Sequence, residues 1–435
     1  MNAVIESGYQ ICLRGLWAYR LIRVDYEKIF LHYPAVAILL IHMLGSVGNS
    51  RLIRGILQPL NRFIFNHAWK QPMIRFFSVA ILVLIVITGC KQAPLGPAVD
   101  CMNQNGSSCW IQIGLEQQWV TDVIHTEEGL YAGTRDDGVF RYDPHTLTWE
   151  SLGLDHAVIS SLLFLPGSPG RLLAGIKPEI IGVTPTGTKQ TDAAVFASED
   201  QGITWIASDG GFAERNESQF WAYSLASDPN NPQRVYMSSD GPVFRSEDAG
   251  RTWELVLGDE ASTGGVWLRS VAISPHEEGH LWVAGHTGFL QAILYRSEDH
   301  GNSWTHVNPT PDRENAVFMV AADPDIPERV WAGTEEGVLR SEDAGETWSY
   351  VLKHKDASLV QSLLFADGHM FATSHRHGED PILFQSKNAG ETWVRVPVPD
   401  SLNGLRSMAI DPEGNLIVGT TGSGVWRVDL RIGEI

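Results

Sequence analysis

Beyond residue 110 the chain is a succession of short runs, and three kinds recur in a fixed order. The first alternates apolar with small or polar residues, as in Leu268–Ser274 (LRSVAIS), Phe318–Asp323 (FMVAAD) and Leu405–Asp411 (LRSMAID). The second is apolar and ends in small residues, as in Leu281–Gly285 (LWVAG), Val330–Gly333 (VWAG) and Leu416–Gly419 (LIVG). The third leads into a turn, as in Val338–Ser341 (VLRS). Clusters such as Asp228-Pro229-Asn230-Asn231-Pro232 and Asp323-Pro324-Asp325 divide the first run from the second. Period-two runs this short, bounded by Pro, Gly, Asn and Asp, predict brief antiparallel strands.

The turn after the third run is itself a repeat. The pattern S-x-D-x-G-x-[T/S]-W occurs at Ser198–Trp205, Ser246–Trp253, Ser297–Trp304 and Ser341–Trp348. Ser386–Trp393 carries Asn388 in place of the Asp, and Tyr142–Trp149 keeps only the Thr-Trp end. Successive Trp positions lie 56, 48, 51, 44 and 45 residues apart. Such a period marks a repeat architecture. A carboxylate at Asp200, Asp248, Asp299 or Asp343 can accept backbone N–H groups across the turn, and Asn388 can substitute for it. Gly202, Gly250, Gly301, Gly345 and Gly390 supply a left-handed backbone. Trp205, Trp253, Trp304, Trp348 and Trp393 return the chain to the sheet and bury a large ring. Equivalent turns repeated around a fold are structural rather than catalytic.

Each unit therefore holds four strands, A to D, in roughly 45 residues, the size of a propeller blade. First strands near Val120, Ser160, Tyr223, Ser270, Phe318, Gln361 and Arg406 count seven units. The last unit ends at Val425–Leu430 without a fourth strand. Trp110-Ile111-Gln112-Ile113 reads like the stretch after a repeat Trp and can supply it, removing an open sheet edge. The expected fold is all-β: a seven-bladed β-propeller of four-stranded antiparallel blades over 109–430, its last blade closed by the N-terminal strand.

The region before 109 has another character. Residues 73–89 form a leader, with Arg75 before an apolar run from Phe76 to Ile87, and Cys90 follows Thr88-Gly89. The run is short for a spanning helix and suits a signal segment. Residues 90–108, rich in Pro, Gly, Ser and Asn, read as a tether. Residues 1–72 are basic, and two readings stay open: an extension at the membrane, or upstream sequence that precedes a true start at Met73. Cys101 and Cys109 can pair in an oxidising compartment, or stay as two thiols. No Cys/His spacing suits a structural metal, and no cofactor is expected.

The net charge of −19 is unevenly spread: 1–89 sums to +6, so 90–435 sums to −25. A body this acidic argues against nucleic acid as partner.

Residues 110–430 resemble the Asp-box (BNR) propeller superfamily, which includes sialidases, xyloglucanase-type glucanases, sortilin-like receptors and lipid-anchored photosystem assembly factors. Ile87-Thr88-Gly89-Cys90 resembles a bacterial lipobox. That resemblance implies lipid on Cys90 and a place outside the cytoplasmic membrane of a bacterial envelope. The superfamily spans enzymes and binding proteins. The Arg-Ile-Pro motif of sialidases is absent, and no Tyr follows Tyr350 to act as their late nucleophile. Arg269 and Arg406 start A-strands without an evident third Arg. Xyloglucanase-type enzymes resemble paired propellers around a cleft, and this chain holds material for one.

Acidic residues gather where the connections between strands B and C are expected: Asp136, Asp137, Asp240, Glu335, Glu336, Glu379 and Asp380. His375, Arg376 and His377 share the last of these loops, without a spacing that fixes a metal. The insertion Lys177–Ala193 and the aromatics Phe212, Phe220, Trp221 and Trp267 border the same expected rim, although Trp221 also suits the core. The expectation is a membrane-tethered module that binds a protein or glycan on one rim, rather than an enzyme. The alternative is a glycoside hydrolase acting on extracellular carbohydrate.

Overall fold

In the computed structural model, the described residues are 99–102, 108–167, 170–177, 193–212, 221–258, 265–310, 315–353, 359–374 and 380–430. The leader, Cys90, most of the Lys177–Ala193 insertion, Phe220, His375, Arg376, His377 and Glu379 lie outside them. The described chain is all-β and forms a seven-bladed β-propeller.

Blades 1 to 6 span 120–151, 158–207, 224–257, 266–307, 317–353 and 360–396. Each is an antiparallel sheet of four strands in chain order. We letter them A to D from the centre outwards. Blade 7 combines Leu405–Ile410, Leu416–Thr420 and Val425–Leu430 with Ser108–Gly114 from the start of the fold. Trp110 lies opposite Val428 and Gln112 opposite Trp426, so the first segment closes the last blade. A fifth strand, Val99–Met102, pairs outside it, within the stretch read as a tether. Cys109 is disulfide-bonded, and the register sets Cys101 directly across from it.

Strand A is innermost, and consecutive A-strands abut right round the ring, including blade 7 against blade 1. Antiparallel order then fixes two faces. A–B and C–D turns emerge on one, B–C and D–A connections on the other.

The octapeptides form the C–D turns. Asp200 accepts the Ser198 hydroxyl at 2.7 Å, the Thr204 N–H at 2.8 Å and the Thr204 hydroxyl at 2.6 Å. Asp248, Asp299 and Asp343 repeat this pattern. Asn388 keeps it with its amide, accepting the Thr392 N–H at 2.9 Å and donating to the Thr392 hydroxyl at 2.9 Å. The motif Ser also accepts the Gly N–H, as Ser246 does from Gly250 at 2.8 Å. The left-handed backbone extends one residue further than the glycine, since Gln201, Ala249, His300, Ala344 and Ala389 have φ between 51° and 61°.

Three of the repeat Trp residues hydrogen-bond across to the preceding blade, whereas Trp348 and Trp393 donate to Gly345 O and Gly390 O of their own turns. The indole N–H of Trp205 donates to Leu152 O, that of Trp253 to Ser208 O and that of Trp304 to Val256 O, at 2.8, 2.8 and 2.9 Å. Each carbonyl lies at the outer edge of the preceding blade. In blade 1, Trp149 reaches Ile113 O of the closing strand at 2.8 Å, although its turn has lost the octapeptide. Asp143 caps that turn instead, accepting the His145 N–H and the Thr146 hydroxyl. Phe212 packs into this interior against Phe244 and Trp253, not on a rim.

Candidate functional site

The face of the B–C and D–A connections is built from irregularities in strand A. Six A-strands carry a register shift at the same place, which leaves Thr121, Ser160, Arg269, Phe318, Gln361 and Arg406 without a cross-strand partner. In blade 3, Tyr223 takes the equivalent position just before the strand, its N–H on Ser238 O at 2.9 Å. A bulge turns its extra residue away from the pleat and re-aims the side chain. The result is a ring of seven side chains, one per blade, at the mouth of the inner strands, six of them re-aimed by a register shift. Neighbours in the ring touch: Arg406 donates to Gln361 Oε1 at 2.7 Å, and the Arg269 guanidinium lies 4.5 Å from the Tyr223 ring centre.

Four cations converge on this mouth. Arg269 and Arg406 come from the ring itself. Lys177 ends strand B of blade 2, 5.0 Å from the Trp221 ring and 5.9 Å from Tyr223. Arg135 stands in the B–C turn of blade 1, with its guanidinium 4.5 Å from Trp119, and Arg406 approaches the same indole at 5.7 Å. These are cation–π distances. Burial, then repulsion from Arg269, Arg406 and Arg135, lowers the Lys177 pKa to about 8. Burial and the charges of Arg269 and Arg135 likewise hold Arg406 below its ordinary value. Two of these cations were legible as Arg at A-strand starts. Arg135 and Lys177 complete the group from other strand positions.

Aromatic rings form the wall between the charges. Trp221 is half-buried beneath Lys177 and edge-on to Tyr223 at 5.8 Å, so it belongs to the mouth rather than the core. Trp267 lies 5.3 Å from His286, which is 5.4 Å from Phe318. Burial pushes the His286 pKa down, and the neutral ring fits its contacts: Nδ1–H donates to Thr287 O at 2.9 Å while Nε2 accepts from Arg269 at 3.4 Å.

The carboxylates read from the sequence separate into groups. Asp240 sits in the B–C turn of blade 3 and accepts the Trp221 N–H at 3.3 Å. Burial pushes its pKa up, and its charge is felt by the Tyr223 hydroxyl, so it belongs to the mouth. Asp137 accepts the Gln118 amide at 2.6 Å, one residue from Trp119, and Asp136 is exposed beside it. Glu336 is paired with Lys353 at 2.8 Å, which lowers its pKa. Glu335 neighbours it in the same B–C turn of blade 5, and Asp380 is exposed ahead of strand C in blade 6. Among the described residues no group of His, Cys, Asp and Glu could hold a metal ion. An open cavity of about 450 Å³ lies towards the other end of the inner strands, against Ala226, Ile273, Ala322 and Phe365, and is lined by no titratable group.

No protein-family model matches the chain. It is similar to the xyloglucanase Xgh74A of Acetivibrio thermocellus, 25% identical over 276 residues, which cover 52% of this chain and 32% of that protein. It is similar also to a xyloglucanase of Hypocrea jecorina, 21% identical over 320 residues, covering 66% of this chain and 38% of that one. The chain thus spans about a third of the length of these curated relatives. Among solved structures, an ancestral GH74 enzyme superposes with a TM-score of 0.55 at 17% identity, over 76% of this chain and 50% of that one. YCF48 from Cyanidioschyzon merolae superposes with a TM-score of 0.53 at 13% identity, over 73% and 98%. At these identities the superpositions establish the propeller fold alone. The curated relatives correct the expectation of a non-enzymatic binding or assembly module, because they are enzymes that act on a glycan, the class read as the alternative.

Proposed function

We propose that this chain is a glycoside hydrolase that takes an extracellular carbohydrate on the B–C and D–A face of an Asp-box propeller. Its similarity to xyloglucanases carries the reading. The geometry supports it. Trp119, Trp221 and Trp267 offer flat apolar faces on which sugar rings stack, and the polar groups between them can fix orientation. Asp240 is the described carboxyl best suited to donate a proton to a leaving oxygen, because burial raises its pKa and the Trp221 N–H orients it. We assign the general-base role to Asp137, which stands in the B–C turn of blade 1 on the same face and is oriented by the Gln118 amide. In the same proposal the protein is exported and held at a membrane by lipid on Cys90.

The test uses the full chain with xyloglucan, other β-glucans and acidic polysaccharides, and measures new reducing ends. We expect release from at least one glycan, with Asp240→Asn lowering turnover by about 10²–10⁴-fold. No release from any glycan in the panel overturns the hydrolase reading. Cys90→Ala should move the protein from the membrane fraction to the soluble one.

A further inference from the structure

We infer that the mouth binds an anionic glycan, its acidic groups seated among Lys177, Arg269, Arg406 and Arg135 and its sugar rings against the neighbouring indoles. This rests on the reading of that face as a carbohydrate site and goes beyond it, because the glycan named for the relatives is not specified by charge.

The argument is a contrast between the two faces. On the face of the octapeptide turns, arginines have carboxylate partners. Arg171 meets Glu199 at 2.6 Å, Arg234 meets Glu247 at 2.9 Å, Arg296 meets Glu298 at 2.9 Å, Arg329 meets Glu342 at 2.8 Å and Arg340 meets Glu391 at 2.7 Å. On the mouth face, none of the four cations forms an ion pair within the described residues, where Arg269 and Arg406 rest on rings, an imidazole and an amide. The body carries −25 in net charge. Carboxylates are abundant, yet among the described residues none is paired with these cations, and the two nearest in the mouth, Asp240 and Asp137, accept the Trp221 N–H and the Gln118 amide instead.

Lys177, Arg269 and Arg406 are partly buried beside the exposed Arg135, so they repel and lose hydration, a cost that a bound anion removes. Burial is the main cause of the lowered Lys177 and Arg406 pKa values, and neighbouring cations add to it: Arg269, Arg406 and Arg135 on Lys177, Arg269 and Arg135 on Arg406. The rings do not neutralise them, because cation–π contact leaves the N–H donors free to reach an oxyanion. Planar guanidinium groups suit a carboxylate or a sulfate equally in charge. The alternation of cations with the half-buried Trp119, Trp221 and Trp267 adds stacking surface, which a small inorganic anion does not need. Together they describe a polymer of rings that carries acidic substituents.

The experiment titrates the full chain by calorimetry, at low and moderate salt, with three probes of similar length: an oligogalacturonate, a sulfated glycosaminoglycan oligosaccharide and a xyloglucan oligosaccharide. At least one acidic probe should bind ten-fold or more tightly than the neutral one, and its affinity should fall as salt rises. The acidic probe that binds tells carboxylate from sulfate. Lys177→Gln and the exposed Arg135→Gln should each weaken acidic binding several-fold, while Arg340→Gln on the opposite face should leave it unchanged. Equal or tighter binding of xyloglucan, or an effect of Arg340→Gln as large as that of Lys177→Gln, overturns the inference. Its fate is separate from that of the hydrolase reading. Acidic binding without cleavage sustains the inference and sinks the hydrolase. Cleavage of neutral glycans alone sustains the hydrolase and sinks the inference.

Discussion

Ser407 donates its hydroxyl to Asp122 Oδ1 at 2.7 Å, which ties the inner strand of the last blade to that of the first. The other carboxylate oxygen accepts the Leu162 N–H of blade 2 at 2.8 Å, so one side chain spans three blades.

Asp122 gives the fold a pH dependence of unusual sign. Burial raises its pKa from 3.8 to about 6 against three opposing hydrogen bonds. Between those values the folded state holds a proton that the unfolded state has released. The contribution of Asp122 to stability is then fully present below about pH 4 and is lost as pH rises through 6, by about 3 kcal/mol at about 1.4 kcal/mol per unit. The turn carboxylates act oppositely. Hydrogen bonds lower Asp299 to about 2 and hold Asp200 below its ordinary value, so their contribution is present above the unfolded pKa and lost as pH falls through the folded one. Denaturant midpoints for wild type and Asp122→Asn from pH 4 to 7 should show a downward slope only in the wild type.

Gly390 has φ +77°, and a Cβ there would run into the fully buried Trp331 ring. Gly390→Ala should cost about 2–4 kcal/mol from strain and overlap combined. Gly368 shares the positive φ, at +75°, with nothing within 4 Å of its would-be Cβ. Gly368→Ala should cost about 1 kcal/mol, from backbone conformation alone. Thermal unfolding of both variants separates the two effects.

Asn388 is the natural test of the turn carboxylate. Asn388→Asp should restore charge-assisted acceptance of the Thr392 N–H and hydroxyl. The unfolding midpoint should rise by about 1–2 °C at pH 7. At pH 3 the gain should shrink, since the new carboxylate becomes protonated in the unfolded chain and then in the folded one.

Lys177 should make acidic-ligand binding fall off in mildly alkaline solution. Its pKa of about 8 means that the mouth loses one cation as pH rises through that value. Lys177→Arg should keep the affinity level to about pH 10, because an arginine stays charged there. Calorimetric titrations from pH 6 to 10 read the difference.

The architecture was legible because its signals are local and repeated. Ser246 to Trp253 contains, within eight residues, everything that shapes its turn. The partnership of Trp110 with the last blade was also readable, from the likeness of its neighbours to those of the repeat Trp residues. The mouth was less so, for a physical reason. A bulge is a property of register between two strands, and the six residues it re-aims, with Tyr223 at the seventh place, share no chemical type. Arg269 and Arg406 stand out as arginines, whereas Thr121, Ser160 and Gln361 do not. Arg135 and Lys177 reach the same place from connections whose direction a linear pattern does not encode. Asp240 was read as one acidic loop residue among several, and only its seat beside Trp221 and Tyr223 separates it from the others. The octapeptide fixes a scaffold shared by proteins of many activities, so its strength as a signal did not extend to function.

The seam of blade 7 also imposes a timetable. Trp110 is synthesised early, yet its indole N–H bonds Pro397 O, 287 residues later in the chain. The closing strand must wait, its edge unsatisfied, while six blades are made. A chaperone or a translocation channel that occupied Ser108–Gly114 during that interval would decide whether the chain closes on itself or recruits the same strand from another copy.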